Sequence, residues 1–141
     1  MSYRRIATEE AFSTVEIYQH YHQLLDGGGF RDAGFESLVG FYLRNPNPRV
    51  AEIGARMTDL DARRIPDMDA SGIAMQVLSL TAPGVQVFEK DLAVALARSS
   101  NDELRLQLEN IPPDLRVLLQ WLPRPQRRPP RSWSAAFGNW G

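Results

Sequence analysis

No cysteine occurs among the 141 residues, which excludes a disulfide framework, a thiol nucleophile and a thiolate metal site. A metal held by this chain would need carboxylate or imidazole ligands, and imidazole is scarce, His20 and His22 being the two histidines. Long apolar runs are missing as well. No stretch approaches the roughly 18 consecutive apolar residues of a membrane span, and the opening MSYRRIATEEAF lacks the apolar core of a signal peptide. A cytoplasmic chain with no membrane partner is therefore expected. The length suits one domain or a piece of one and falls far short of the ~250 residues of a whole (β/α)8 barrel.

Acid is missing from one region only. The 16 basic and 17 acidic residues nearly balance, yet residues 115–141 carry five Arg and no Asp or Glu, so every carboxylate lies in residues 1–114. The same tail holds Trp121, Trp133 and Trp140, and five of the ten Pro fall between Pro113 and Pro130. This divides the chain into an acidic part, 1–114, and a basic Pro-, Trp- and Arg-rich tail, 115–141.

The acidic part reads as alternating strand and helix. Residues 3–8 (YRRIAT) make a strand-like run that stops at Glu9-Glu10. Ser13 and Glu16 have capping-box spacing, which predicts a helix with Val15, Tyr18, His22 and Leu25 along one stripe, ending at Gly27 to Gly29. About twenty residues of loop are expected next, containing Phe35, Phe41 and Tyr42. Asn47-Pro48 is a helix entry, with Asn as cap and Pro at the first helical position. Val50, Ile53, Met57, Leu60 and Arg64 predict one buried face running to about residue 70, broken or kinked by Pro66. IAMQVLSL after Gly72 reads as a strand, residues 81–84 as a turn, and residues 91–110 as a helix with Leu92, Ala95, Leu96 and Ser99 on one face. The order β, α, loop, α, β, α is that of an α/β protein with parallel strands.

Taken alone, the polar residues carry little chemistry. Glu9-Glu10 would sit at a strand's C-terminal end, where α/β folds place their sites, although adjacent carboxylates are more often a solvated loop. His20 and His22, two apart on a helix, point to different faces and cannot form a two-His metal site by themselves. Tyr42 and Arg49 are a packed aromatic and a surface cation, and Gly27 to Gly29 lack the context of a phosphate loop.

Three ordered blocks go further. RIATEEAF (residues 5–12), GFYLRNPNPR (40–49) and RRIPDMDASGIAMQVLSLTAPGVQ (63–86) resemble the start of the 5-carboxyvanillate decarboxylase branch of the amidohydrolase-related family, which also includes γ-resorcylate and aminocarboxymuconate-semialdehyde decarboxylases. The likeness covers nearly all of residues 4–114. It implies an α/β fold, the incomplete N-terminal portion of a metal-dependent-hydrolase-type (β/α)8 TIM barrel, and a carbon-carbon lyase activity releasing CO2 from a carboxylated phenol. Its partner would be a small aromatic carboxylic acid, and full-length members are expected to form homo-oligomers.

The resemblance also implies site residues. In this branch a Glu replaces the first His of the wider superfamily's metal pair, and Glu9 matches it. The second ligand position falls on Ala11, which cannot bind metal. Tyr42 and Arg49 match substrate-binding positions, an Arg fork suiting a carboxylate, and the residues 81–86 would line the same mouth. Full-length members carry a divalent metal, Mn or Zn, bound also by a His and an Asp whose positions would fall beyond residue 141. One carboxylate does not hold such an ion, so this chain is expected not to retain the metal and to be inactive alone.

The tail departs from the family pattern, which continues with a strand of the type PDRFAAVAAL and a helix of the type AAKELERGVRELGF. Codons that encode Arg131 to Ala136, with the third base of the Pro130 codon, permit K-E-L-E-R-G when read from the third base, and the single codon of Trp still fits at Trp121, Trp133 and Trp140. Residues from about Leu115 onward are therefore expected to be an out-of-frame translation, poorly ordered. The alternative from a different class is a small binding module whose basic, Trp-containing tail grips nucleic acid or an anionic surface. A tail without repeats disfavours it, and no nucleic-acid partner is expected.

Overall fold

The computed structural model describes residues 3–28 and 32–109, apart from the side chains of Glu9 and Leu108, together with the backbone of residues 116–119. Its elements run β1 (Arg5–Phe12), α1 (Val15–Asp26), α2 (Ala33–Arg44), α3 (Pro48–Thr58), α4 (Arg64–Ser71), β2 (Ile73–Leu80), α5 (Lys90–Glu109) and β3 (Arg116–Leu119). The strands form one parallel sheet in the order β1-β2-β3, a mixed α/β arrangement. β3 lies in the compositionally distinct tail, and the rest of 115–141 lies outside the described residues.

β1 does not stop at the acidic pair. It continues through Glu9-Glu10 to Phe12, because pairing with β2 and burial of the Phe12 ring outweigh the weak strand preference of glutamate. Ala7 faces Gln76 while Glu10 faces Leu78, so β1 spends three steps where β2 spends two. The extra residue makes a bulge at Thr8-Glu9, the kind of irregularity that re-aims side chains near a strand's end.

α1 also differs from the expected pattern. Thr14, not Ser13, caps it by accepting from the Ile17 N–H at 3.2 Å, and Glu16 accepts from the Ser99 hydroxyl at 2.6 Å instead of closing a capping box. The buried stripe is accordingly Ile17 and Tyr21, while Val15 and His22 are exposed. The helix ends at Gly27 as expected.

The expected loop after Gly29 is largely helix. Asp32 caps α2 by accepting from the Phe35 N–H at 2.7 Å, and Phe35 and Val39, one turn apart, are buried. Pro46 holds Asn45 extended and ends it. Asn47-Pro48 opens α3 as expected, but the long helix predicted from there to residue 70 is two helices. Asp59 leaves helical geometry, and Pro66 falls in the first turn of α4, where a missing N–H costs no helical hydrogen bond. No α3 residue is fully buried, contrary to the predicted core face.

β2 and the 81–84 turn match the expectation. Gln76 and Leu78 are buried under helices, whereas Met75 and Val77, on the other face of the strand, are half-buried. On α5 the covered stripe is Leu96, Ser100 and Leu104, with Ala95 and Ser99 exposed. Two apolar clusters result. One joins Ile17, Tyr21, Phe35, Val39 and Leu96 across α1, α2 and α5, and the other joins Phe12, Leu60, Leu78 and Leu104. No described helix is long and apolar enough to cross a membrane.

Candidate functional site

An apolar cavity of about 350 Å³ opens between α1, α2, α3 and the turn that follows β2. α1 supplies Tyr18 and Tyr21, α2 supplies Leu38, Val39 and Tyr42, α3 supplies Ile53 and Met57, and the turn supplies Thr81 to Pro83. The turn starts where β2 leaves the sheet, its Thr81 N–H donating to the Phe12 carbonyl at 2.9 Å. The cavity therefore adjoins the C-terminal ends of two parallel strands, the end at which α/β folds bind ligands.

The tyrosines are held differently. The Tyr21 ring meets Phe35 edge-on at 5.3 Å and stacks on Phe88 at 5.6 Å, and its hydroxyl donates to the Gly84 carbonyl at 2.7 Å. The Tyr18 hydroxyl points to the Met57 sulfur at 3.6 Å. Burial raises the pKa of both phenols, and Tyr18 adds to the rise at Tyr21. Both stay protonated at any ordinary pH. The Tyr42 ring is more open and packs edge-on against Phe41 at 5.3 Å.

Tyr42 and the 81–83 segment, assigned to one mouth from the resemblance, do share this cavity. Arg49 does not line it. It is exposed in the first turn of α3, one turn before Ile53 and two before Met57 on the same helical stripe. The backbone of Glu9 belongs to β1, and its side chain lies outside the described residues. Ala11 is exposed.

Burial pulls the Arg64 guanidinium below its ordinary pKa, while the charges of Glu10, Asp59 and Asp67 push it back up. Arg64 donates to Gln76 Oε1 at 3.0 Å, to the Ala11 carbonyl at 2.9 Å and to the Asp59 carbonyl at 3.3 Å, tying the end of β1 to β2 and to the α3 terminus. His20 packs edge-on against Phe88 at 5.8 Å and His22 is exposed, so neither joins the cavity lining. Tyr18 entered the sequence reading only as part of a stripe, and Tyr21 did not enter it. The signal available was their spacing of three on a helix, which gives no hint of the turn they meet.

No protein-family model matches the chain. The crystal structure of 5-carboxyvanillate decarboxylase from Novosphingobium aromaticivorans, with manganese and 4-hydroxy-3-methoxy-5-nitrobenzoic acid, is 44% identical with a TM-score of 0.79 over 89% of this chain and 35% of its own. The γ-resorcylate decarboxylase of Polaromonas sp. is 33% identical over 109 residues, 77% of this chain and 27% of that protein. The chain is a partial match to the 5-carboxyvanillate and γ-resorcylate decarboxylases. It spans about a third or less of their length. A dihydroxybenzoic acid decarboxylase from Polaromonas sp., with manganese and the inhibitor 2-nitroresorcinol, matches at 30% identity and a TM-score of 0.54 over 84% of this chain and 29% of its own.

Those decarboxylase structures hold manganese, and the described residues here do not fit such a site. Among them no group of three or more His, Asp or Glu could hold a metal ion. Ala11 offers only a methyl group. What the described residues do build is a mainly apolar cavity with three tyrosines, Tyr18, Tyr21 and Tyr42, and Thr81 among its lining.

Proposed function

We propose that this chain is the N-terminal portion of a metal-dependent (β/α)8 decarboxylase acting on carboxylated phenols, and that its share of the site is the wall that receives the aromatic ring. The observation that carries this reading is the cavity itself, which brings Tyr42 of α2 together with residues 81–83 after β2 in a chain 44% identical to a carboxyvanillate decarboxylase. An apolar enclosure favours the ring over water, and tyrosine edges suit a substituted arene. Arg49, on the α3 stripe of Ile53 and Met57, is proposed to meet the carboxylate as a fork. Glu9 is proposed as the one metal ligand of this chain, further ligands coming from a continuation of the barrel. Residues beyond about 114 are proposed to be out of frame, and so not part of that wall.

The test is CO2 release from 5-carboxyvanillate with added manganese, comparing the 141-residue chain with one continued after residue 114 in the third-base frame. The continued chain is expected to release CO2 and the 141-residue chain to release none. A continued chain that folds and releases none sinks the reading.

A further inference from the structure

Tyr21 belongs to two structures at once. Its ring lines the cavity, while its hydroxyl donates at 2.7 Å to the carbonyl of Gly84, 63 positions further along the chain. Gly84 follows Thr81, Ala82 and Pro83, which line the same cavity, in a turn that runs on to residue 87. That turn is anchored firmly at its start, by the 2.9 Å bond from Thr81 to Phe12, and only by longer bonds at its far side. There Gln86 donates to Pro83 and Phe88 to Val85, each at 3.3 Å.

The two ends of the Tyr21–Gly84 bond are both fixed. Phe35 and Phe88 hold the ring from two sides. Gly84 has φ +58°, and a Cβ built there would stand 3.2 Å from the Leu80 Cδ2, so the position tolerates little but glycine. Burial keeps the phenol protonated, which preserves it as a donor.

We infer that Tyr21 is a positioning residue, which sets the shape of the aromatic-acid cavity by holding the turn at residues 81–84 in place. The inference rests on the reading of that cavity as a substrate wall, and it acts through Thr81 to Pro83 rather than through contact with a reacting atom. Tyr18 lines the same cavity and is a half-buried phenol, but its hydroxyl meets Met57 and not the turn.

The experiment is amide hydrogen exchange on the 141-residue chain and its Tyr21→Phe and Tyr18→Phe variants, with circular dichroism to confirm that each is folded. A titration with 4-hydroxy-3-methoxy-5-nitrobenzoic acid is followed at the Thr81 amide. Tyr21→Phe is expected to speed exchange at Gln86 and Phe88 about tenfold, the size of one buried hydrogen bond, and to weaken the probe by a similar factor. Tyr18→Phe is expected to leave those two amides at the parent rate. Gly84→Ala disturbs the same carbonyl from its other end and is expected to speed the same amides, which keeps the test sharp if Tyr21→Phe unfolds. Unchanged exchange in Tyr21→Phe, or equal acceleration in both tyrosine variants, overturns the inference. Acceleration confined to Tyr21→Phe with no binding of the probe to any form upholds the positioning role and removes the substrate reading of the cavity.

Discussion

Arg64 reaches the Gln76 side chain at 3.0 Å, so a residue of α4's first turn satisfies a buried amide of β2. The same guanidinium accepts no substitute cheaply, because it also holds the Ala11 and Asp59 carbonyls. Arg64→Ala leaves the Gln76 side chain and the Ala11 and Asp59 carbonyls without that donor, and an orphaned buried acceptor costs about 1–3 kcal/mol. The expected loss is roughly 2–4 kcal/mol in urea unfolding, with Arg64→Lys recovering part of it, since a single ammonium cannot reproduce the fork. A variant within about 0.5 kcal/mol of the parent would show that the network is ornamental.

Glu103 and Glu52 move stability with pH in opposite senses. Burial first, and then the neighbouring Glu16, raise the Glu103 pKa, so the folded chain binds that proton more tightly than the unfolded one. Its effect is absent below the unfolded carboxylate pKa of about 4, and stability falls as pH rises through the higher folded value. Glu103→Gln is therefore expected to be more stable than the parent at pH 7, by a few tenths of a kcal/mol because the site is well solvated, with the difference vanishing below about pH 4. Urea midpoints across that range measure it, and a variant less stable at pH 7 contradicts it.

Glu52 behaves the other way. Hydrogen bonding from Arg63 first, opposed by burial and assisted by the Arg63 and Arg56 charges, lowers its pKa. Its stabilising effect is present above the unfolded carboxylate pKa and is lost as pH falls through the lower folded value. Glu52→Gln is accordingly expected to narrow the loss of stability on acidification, and a variant whose acid limb matches the parent's would remove Glu52 from the account.

Local signals were readable in the sequence and long-range ones were not. Asn47-Pro48, IAMQVLSL and the glycine at position 27 each carry their own geometry, and each element begins or ends there. α2 escaped notice because Gly34, Ser37 and Gly40 are weak helix formers, and burial of Phe35 and Val39 outweighs them. The α1 cap is Thr14 and not Ser13, and the buried stripe is set by packing of Ile17 and Tyr21 against Phe35, Val39 and Leu96, which local spacing does not encode. The ordered blocks at residues 5–12, 40–49 and 63–86 made the decarboxylase resemblance legible. The latch between Tyr21 and Gly84 spans 63 positions and has no local pattern, so only folding reveals it.

The two faces of β2 should respond unequally to truncation. Leu78 is wholly buried between Phe12, Leu60 and Leu104, whereas Met75, three residues earlier, is only half-covered. Leu78→Ala removes a side chain whose space the surrounding core cannot refill, which costs about 2–5 kcal/mol. Met75→Ala gives up area that water already partly wets, so its cost is expected to be about 1 kcal/mol or less in this chain. In a chain continued past residue 114 in the family-like frame, further strands are proposed to cover that face, and the Met75→Ala cost is expected to rise toward the Leu78→Ala value. Paired urea unfolding of both variants in both chains checks this. Equal costs for Met75→Ala in the two chains would mean that the continuation leaves this face of β2 as open as it is in the 141-residue chain.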